Sequence, residues 1–122
     1  MFISLKYGNV LYSIDNETSG AEEWAAYWTD FLRRNSAGKK IFVTEMWDEW
    51  DVQSAMHKIT LDHPVRYDFV DISQNSQIPG KPNWDNEQYI FNYIKRNPRP
   101  VNSNKIYGRY RGSMAIQFTD YL

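Results

Sequence analysis

The chain has 122 residues, no cysteine and a formal net charge of −1. This length suits a single domain over residues 1–122, and the near-neutral charge gives no sign of a nucleic-acid or membrane partner. Without cysteine there is no disulfide framework and no thiolate catalysis, and no apolar run approaches the roughly 20 residues of a membrane span. Aromatic residues form 16% of the chain, which favours an aromatic core or platforms for sugar faces.

The first predicted strand is the apolar run at residues 10–15, which ends on the polar stretch Asp15-Asn16-Glu17. A helix is predicted next, with Ser19 as its N-cap and Gly38 beyond its end. Its aromatic and leucine side chains recur at helical spacing, so we expect this stripe to pack in the core: Trp24, Tyr27, Trp28, Phe31 and Leu32.

The remaining elements continue the alternation of strand and helix. Strands are predicted at 40–45, 67–73 and 104–108, and a fifth strand at 113–118. A second helix is predicted to begin at an Asp51 N-cap and to end before Pro64. The polar stretch 74–84 predicts a loop, followed by a third helix over 84–97 with Ile90, Tyr93 and Ile94 facing inward.

Such alternation indicates an α/β fold with parallel strands joined by right-handed helical crossovers. The carboxyl ends of parallel strands lie at one edge, where barrels and open α/β sheets hold their functional sites. We therefore expect the polar and aromatic residues that follow the strands to converge there and bind a substrate: Asp15, Asn16, Trp47, Asp48, Asp71, Gln74, Asn75 and Tyr107.

Two carboxylates at neighbouring strand ends are the candidate catalytic pair. Glu17 and Glu45 would hold their carboxyl groups about 5 to 9 Å apart, which spans the geometries used to hydrolyse glycosidic bonds with retention or inversion. One of them would need a raised pKa to act as the acid. Trp47 or Trp50 could stack on a sugar ring. The alternative is that these carboxylates only cap a helix or solvate a loop.

No cofactor or metal site is predicted. His57 and His63 are six residues apart on a predicted helix and do not share a face, so a zinc pair is not expected. His57 is predicted to be a solvated helix residue, and His63 to close the helix before Pro64. The acidic stretch 48–51 lacks the alternating ligand spacing of a calcium loop.

Several segments resemble consecutive blocks of a glycoside-hydrolase-like family of bacterial (β/α)8-barrel proteins. The blocks are NVLYSIDNETSGAEEWAAYW, VTEMWDEWD, DHPVRYDFVDISQN, WDNEQYIFNYI and RPVNSNKIYG, and they run from about Phe2 to Gly108 in the family's order. The resemblance implies half of a TIM-type barrel, covering strands four to seven, and it implies carbohydrate as the partner. Asn16-Glu17 matches the Asn-Glu that closes strand four, where the Glu is the acid/base.

The sequence departs from this family in three places. Strand seven, Asn104 to Gly108, lacks the expected nucleophilic Glu, and the loop after Gln74-Asn75 lacks the expected His and Lys-Gly. Residues 109–122 no longer resemble the family. We therefore expect a fragment of a carbohydrate-active protein with weak or no activity alone, and the alternatives are a non-catalytic α/β domain that binds carbohydrate or a partner chain and an inactive fragment that persists as a stable fold.

A half-barrel also carries expectations about assembly and location. It exposes two strand edges and an uncovered inner face, so self-association is expected, most simply two halves closing face to face. The strand side chains that a closed barrel would bury are Tyr12, Ile14, Phe42, Val43 and Phe69. The stretch Met1 to Leu5 does not read as a signal peptide, whereas full-length members of the family are expected to be exported. No cellular compartment is predicted from the sequence.

Overall fold

A computed structural model of the protein describes residues 3–75, 81–103 and 105. The strands are β1 (Leu11–Ser13), β2 (Phe42–Thr44), β3 (Val70–Asp71) and β4 (Val101–Asn102). The helices are α1 (Glu22–Arg34), α2 (Ala55–Asp62) and α3 (Lys81–Tyr93), and short 3-10 turns lie at Ser4–Lys6 and Ile94–Arg96. The chain therefore has the mixed α/β architecture that the alternation predicts. No helix in the described ranges is long and apolar enough to cross a membrane.

The strands form two parallel pairs. In the first pair β1 lies beside β2, with Leu11 opposite Phe42 and Ser13 opposite Thr44. In the second pair β3 lies beside β4, with Val70 opposite Val101. Parallel pairing of the strands predicted at 10–15 and 40–45 is thus confirmed, although each strand is shorter than its apolar run.

An aspartate connects the two pairs. The Asp68 backbone N–H donates to the Val43 carbonyl at 2.8 Å, and the Val43 N–H donates to the Asp68 side-chain Oδ2 at 3.0 Å. The Thr44 hydroxyl donates to the Phe69 carbonyl at 2.6 Å. A carboxylate and a hydroxyl thus replace part of the backbone ladder between β2 and β3 and link the two strand pairs.

Two hydrophobic clusters lie between the strands and the helices. The first joins β1 and β2 to α1 through Leu5, Leu32, Ile41 and Val43, with Tyr12 and Ile14 packed against it. The second joins β3 to the helices that flank it: Val52, Leu61, Val70, Ile72, Ile90 and Ile94. Each strand pair therefore has its own core, and burial of these side chains is the main stabilising term for each.

The helices begin at positions other than those expected. The N-cap of α1 is Ala21, not Ser19, and Thr18 rather than Ser19 accepts a hydrogen bond, from the Gly20 N–H at 2.9 Å. The N-cap of α2 is Ser54, whose hydroxyl accepts from the His57 N–H, whereas Asp51 accepts from Gln53 N–H one turn earlier. The Asp51 prediction is wrong because its carboxylate closes a local turn before the helix starts.

The third helix begins inside the predicted loop. It starts at Lys81 rather than Trp84, with Pro82 in its first turn, where the missing proline N–H has no intrahelical partner to lose. The fourth strand is Val101–Asn102 instead of 104–108. Residues 104 and 106–108, and the predicted strand at 113–118, lie outside the described residues.

The aromatic side chains of the α1 stripe are not in the core, whereas Leu32 of the same stripe is buried there, as predicted. Trp24 is 47% exposed and Tyr27 is 56% exposed, whereas the buried side chains of α1 are Ala25, Thr29 and Leu32. Tyr93 of α3 is also exposed, and its hydroxyl donates to Asp62 at 2.9 Å. The periodicity identifies a helix correctly, but Ala25, Thr29 and Leu32, rather than the aromatic residues, pack toward the strands.

Candidate functional site

Backbone hydrogen bonds continue beyond β1 and β2 and hold their carboxyl ends together. The Ile14 N–H donates to the Thr44 carbonyl at 2.9 Å, and the Thr18 N–H donates to the Met46 carbonyl at 2.9 Å. The Asp48 N–H returns a bond to the Thr18 carbonyl at 2.8 Å, so Thr18 and Trp47 form a parallel bridge. The stretches that carry Glu17 and Glu45 therefore run next to each other, as the parallel arrangement predicts.

Glu45 is the buried carboxyl of this edge. It is 1% exposed, and its Oε2 accepts a hydrogen bond from the Tyr67 hydroxyl at 3.2 Å. Burial raises the pKa of Glu45 to about 7, and the negative charges of Asp15 and Glu22 act in the same direction. The Tyr67 hydrogen bond opposes this shift without cancelling it, because the loss of hydration around the charged form is the larger effect.

Tyr67 is a functional candidate that the sequence analysis missed. Its ring is fully buried, and burial together with the neighbouring Glu45 carboxyl raises the pKa of its hydroxyl. Tyr67 therefore stays protonated and acts as a hydrogen-bond donor to Glu45. Its position at the start of a predicted strand gave no signal, since a strand residue there is expected to lie far from the carboxyl edge.

Glu17 lies at the surface of the same edge. Its backbone is in the left-handed region, with φ of 54°, a conformation that is uncommon for residues with a side chain. Its carboxylate forms an ion pair with Lys105, a partner that the sequence analysis also missed. Asp15 is half-buried and Asn16 is exposed. The first strand end thus presents its polar residues outward, while Glu45 points into the protein.

The other predicted binding residues form hydrogen bonds between loops. Gln74 donates from Nε2 to Asp48 Oδ1 at 3.1 Å, and Asn75 donates from Nδ2 to the Glu49 carbonyl at 2.7 Å. Asp71 accepts from the Ser73 N–H at 2.8 Å and from the Asn102 side chain. These bonds tie the end of β3 to the end of β2 and to β4. Tyr107 lies outside the described residues.

The two tryptophans at this edge differ in accessibility. Trp47 is 1% exposed, and its indole N–H donates to the Thr60 hydroxyl at 2.7 Å, so its ring anchors the β2 end to α2 and offers no face to a sugar. Trp50 is 57% exposed and can present its ring. Trp50 is therefore the one of the two predicted stacking residues whose ring is accessible to a sugar.

His57 is buried instead of solvated. It is 1% exposed, its Nε2 lies 3.2 Å from the Glu49 carbonyl, and burial lowers its pKa. The prediction that it is a surface residue is wrong, because the side of α2 that carries His57 packs against the loop between β2 and α2. His63 does close α2 as predicted, with Nδ1 2.8 Å from the Ile59 carbonyl. The described residues contain no group of three or more His, Asp or Glu placed to hold a metal ion.

No protein-family model, curated protein or solved structure matches this chain.

Proposed function

We propose that this chain is part of a glycoside-hydrolase-like (β/α)8 barrel and that its carboxyl edge binds carbohydrate. The strand order supports the barrel: parallel strands that follow one another in chain order, each joined to the next by a helix, curl into a barrel if the helices cover one face. An open doubly wound sheet would instead reverse its strand order at a switch point.

Contacts of α1 and of β3 support an arrangement in which the helices cover one face of the strands. Arg33 of α1 donates to Asp68 Oδ2 at 3.1 Å, just before β3, and Val70 and Ile72 of the same segment pack against α3 residues. The opposite face is open at β1, where Leu11 is 61% exposed. A closed barrel would bury that face, so its exposure fits an incomplete barrel.

The observation that carries the chemical proposal is the pKa of Glu45. A carboxyl whose pKa is about 7 keeps a proton for transfer near neutral pH, as the acid of a glycosidase must. It lies at the end of β2, beside the stretch that carries Glu17, the residue for which the resemblance implies acid/base function. Trp50 supplies an exposed aromatic face for a sugar.

The same geometry supports weak activity in the isolated chain. Glu45 is sealed from solvent, and Glu17 is engaged by Lys105, so neither carboxyl is presented to a substrate. Half a barrel also supplies about half of the loops that orient a sugar ring. The second candidate function is a non-catalytic carbohydrate-binding domain. The burial of Glu45 and the pairing of Glu17 with Lys105 favour it, since binding requires only hydrogen-bonding groups and the Trp50 face.

Hydrolysis of a panel of aryl glycosides tests the enzymatic proposal. We expect the wild-type protein to hydrolyse them at a rate slightly above the uncatalysed background, and we expect the rate in Glu17→Gln and in Glu45→Gln to fall to that background. Asp30→Asn, which makes the same carboxylate-to-amide change at an exposed position on α1, should leave the rate unchanged.

Three results would count against parts of this proposal. Fast turnover by the wild type would contradict weak activity. Equal rates in wild type and both glutamine variants would contradict the roles of Glu17 and Glu45. A carbohydrate titration monitored by Trp fluorescence separates the two functions: saturable quenching that Trp50→Ala abolishes supports binding, and no response to any sugar, with no turnover, would refute a carbohydrate function altogether.

A further inference from the structure

An aromatic surface lies between the outer side of β1 and helix α1. Four rings of α1 pack in a row along it: Trp24 and Trp28 have centroids 5.9 Å apart, Tyr27 and Trp28 5.4 Å apart, and Trp28 and Phe31 5.4 Å apart. Beside Trp24 and Trp28, a mostly apolar groove of about 240 Å³ is lined by Tyr12, Ser13, Ile14, Trp24, Trp28 and Leu32. We call these rings and the groove the aromatic edge.

The backbone of β1 is open along the aromatic edge. Among the described residues, β1 pairs only with β2. The Ile14 N–H points toward β2, where it donates to the Thr44 carbonyl. Because backbone groups alternate in direction along a strand, those of Leu11 and Ser13 point away from β2, toward the groove side. An open strand edge beside exposed aromatic rings is a surface that pairs with another chain.

The charges of α1 indicate which chain fits. Its first turn carries Glu22 and Glu23, and its last turn carries Arg33 and Arg34. Glu23 and Arg34 are both exposed and are separated by about three helical turns, so they project from the same flank of the aromatic row, on either side of Tyr27. In an antiparallel helix pair, residues on the same flank face each other, and an acidic first turn lies opposite a basic last turn.

We propose that the aromatic edge binds a second copy of this chain in a two-fold symmetric dimer. The two α1 helices lie antiparallel with their aromatic rows in contact, and Glu23 of each copy faces Arg34 of the other. The two β1 strands lie next to each other, antiparallel, and Leu11 and Ser13 exchange backbone hydrogen bonds with the second copy. This contact is self-complementary, as a two-fold interface must be.

One symmetry axis satisfies both contacts. A two-fold axis perpendicular to the plane of the strands, placed at the β1 edge, makes the two β1 strands antiparallel and about 4.8 Å apart. The same axis passes between the two α1 helices, which cover β1 and β2 from the same face. In a β–α–β unit the helix packs over the space between its two strands, about half a strand spacing inside the edge, so the two helix axes would come about 10 Å apart, the distance of packed helices with bulky side chains. Edge-to-edge pairing therefore needs no rearrangement of the fold.

Charge reversal tests the dimer without touching the core. We expect the wild-type protein to sediment as a dimer at a concentration of about 100 μM, and Glu23→Arg and Arg34→Glu each to weaken the dimer about tenfold, since like charges then meet at both symmetric positions. The double variant Glu23→Arg/Arg34→Glu restores opposite charges and should restore the dimer. Lys58→Glu, the same kind of reversal at an exposed position on α2, is the matched control and should dimerise like wild type.

Sedimentation velocity and far-UV circular dichroism give the outcomes. Weakened dimers with an unchanged spectrum in the single variants, and recovery in the double variant, support the proposal. A wild-type monomer at that concentration overturns it. A wild-type dimer that both single reversals leave equally tight places the contact elsewhere and also overturns it. The proposal does not rest on a carbohydrate function, so it stands or falls separately from the hydrolysis experiment.

Discussion

At the scale of single residues, the proton on Glu45 links the stability of this protein to pH. The unfolded carboxyl titrates near 4.5 and the folded one near 7, so the folded state binds more protons between these values. The free energy of unfolding therefore falls as pH rises through this range. The contribution of Glu45 is fully present below about pH 4.5 and is lost above about pH 7.

Replacing Glu45 by glutamine should remove that pH dependence. A shift of this size corresponds to a change on the order of 3 kcal/mol between pH 4.5 and pH 8. Glu45→Gln keeps an oxygen that can accept from Tyr67 but cannot ionise, so above pH 7 the variant should be more stable than wild type. Urea unfolding of both proteins at pH 5 and pH 8 measures this; an equal pH dependence in the two proteins would contradict a raised pKa at Glu45.

The sequence predicts where the site residues lie along the chain but not what their side chains contact. Glu17 and Glu45 are at strand ends because apolar runs stop there, and the sequence shows this directly. Tyr67 and Lys105 reach these carboxylates from 22 and 88 residues away along the chain, and only the folded backbone brings them together. The burial of His57 was not predicted for a related reason. Helical spacing tells on which face of the helix a residue lies, whereas the neighbouring loop decides whether that face is covered.

At the scale of elements, Arg99 completes the end of α2. Its guanidinium donates to the carbonyls of Thr60 at 3.1 Å, Leu61 at 2.8 Å and Tyr67 at 2.9 Å. Thr60 and Leu61 belong to the last turn of the helix, where carbonyls lack intrahelical partners. A positive charge at this end also interacts favourably with the helix dipole. Arg99 thereby connects α2 to the segment that leads into β4.

Removing the guanidinium should destabilise the fold. We expect Arg99→Met to lower the free energy of unfolding by about 2 to 3 kcal/mol, because three part-buried carbonyls lose a charged donor while the methionine fills much of the space. Arg96→Met changes an exposed arginine three residues earlier and should alter stability by less than about 0.5 kcal/mol. Urea denaturation compares them, and equal stability of the two variants would show that the Arg99 hydrogen bonds contribute nothing.

Element type was more predictable than element boundaries. The three helices follow from 3.6-residue periodicity, and parallel strands follow from their alternation with helices. The bounds were missed where a local signal had two interpretations: Pro82 suits a loop but also a first helical turn, and Asp51 suits an N-cap but also an isolated turn. The exposed Trp24 and Tyr27 show a further limit, since a helical stripe identifies a face without saying that the face is covered.

At the scale of the whole molecule, the join between the strand pairs depends on Asp68. We expect Asp68→Ala to lower the free energy of unfolding by about 2 to 3 kcal/mol, because the Val43 N–H loses its acceptor and Arg33 loses its ion-pair partner, keeping its bond to the Arg66 carbonyl. Asp68→Asn keeps an oxygen for the Val43 N–H and loses only the charge, so it should retain part of that stability. Thermal and urea unfolding measure both variants; an alanine variant as stable as wild type would contradict the role of this carboxylate.

That join also has a consequence for motion within the native state. Each strand pair has its own hydrophobic cluster, and among the described residues one backbone-to-backbone hydrogen bond, from the Asp68 N–H to the Val43 carbonyl, joins the β2 and β3 segments, while side chains make the other bonds. Two clusters that are joined mainly through side-chain hydrogen bonds can open one without the other, at a free energy below that of global unfolding. We therefore expect the two strand pairs to open as separate cooperative units in native-state hydrogen exchange, with the contacts between β2 and β3 breaking before either cluster unfolds.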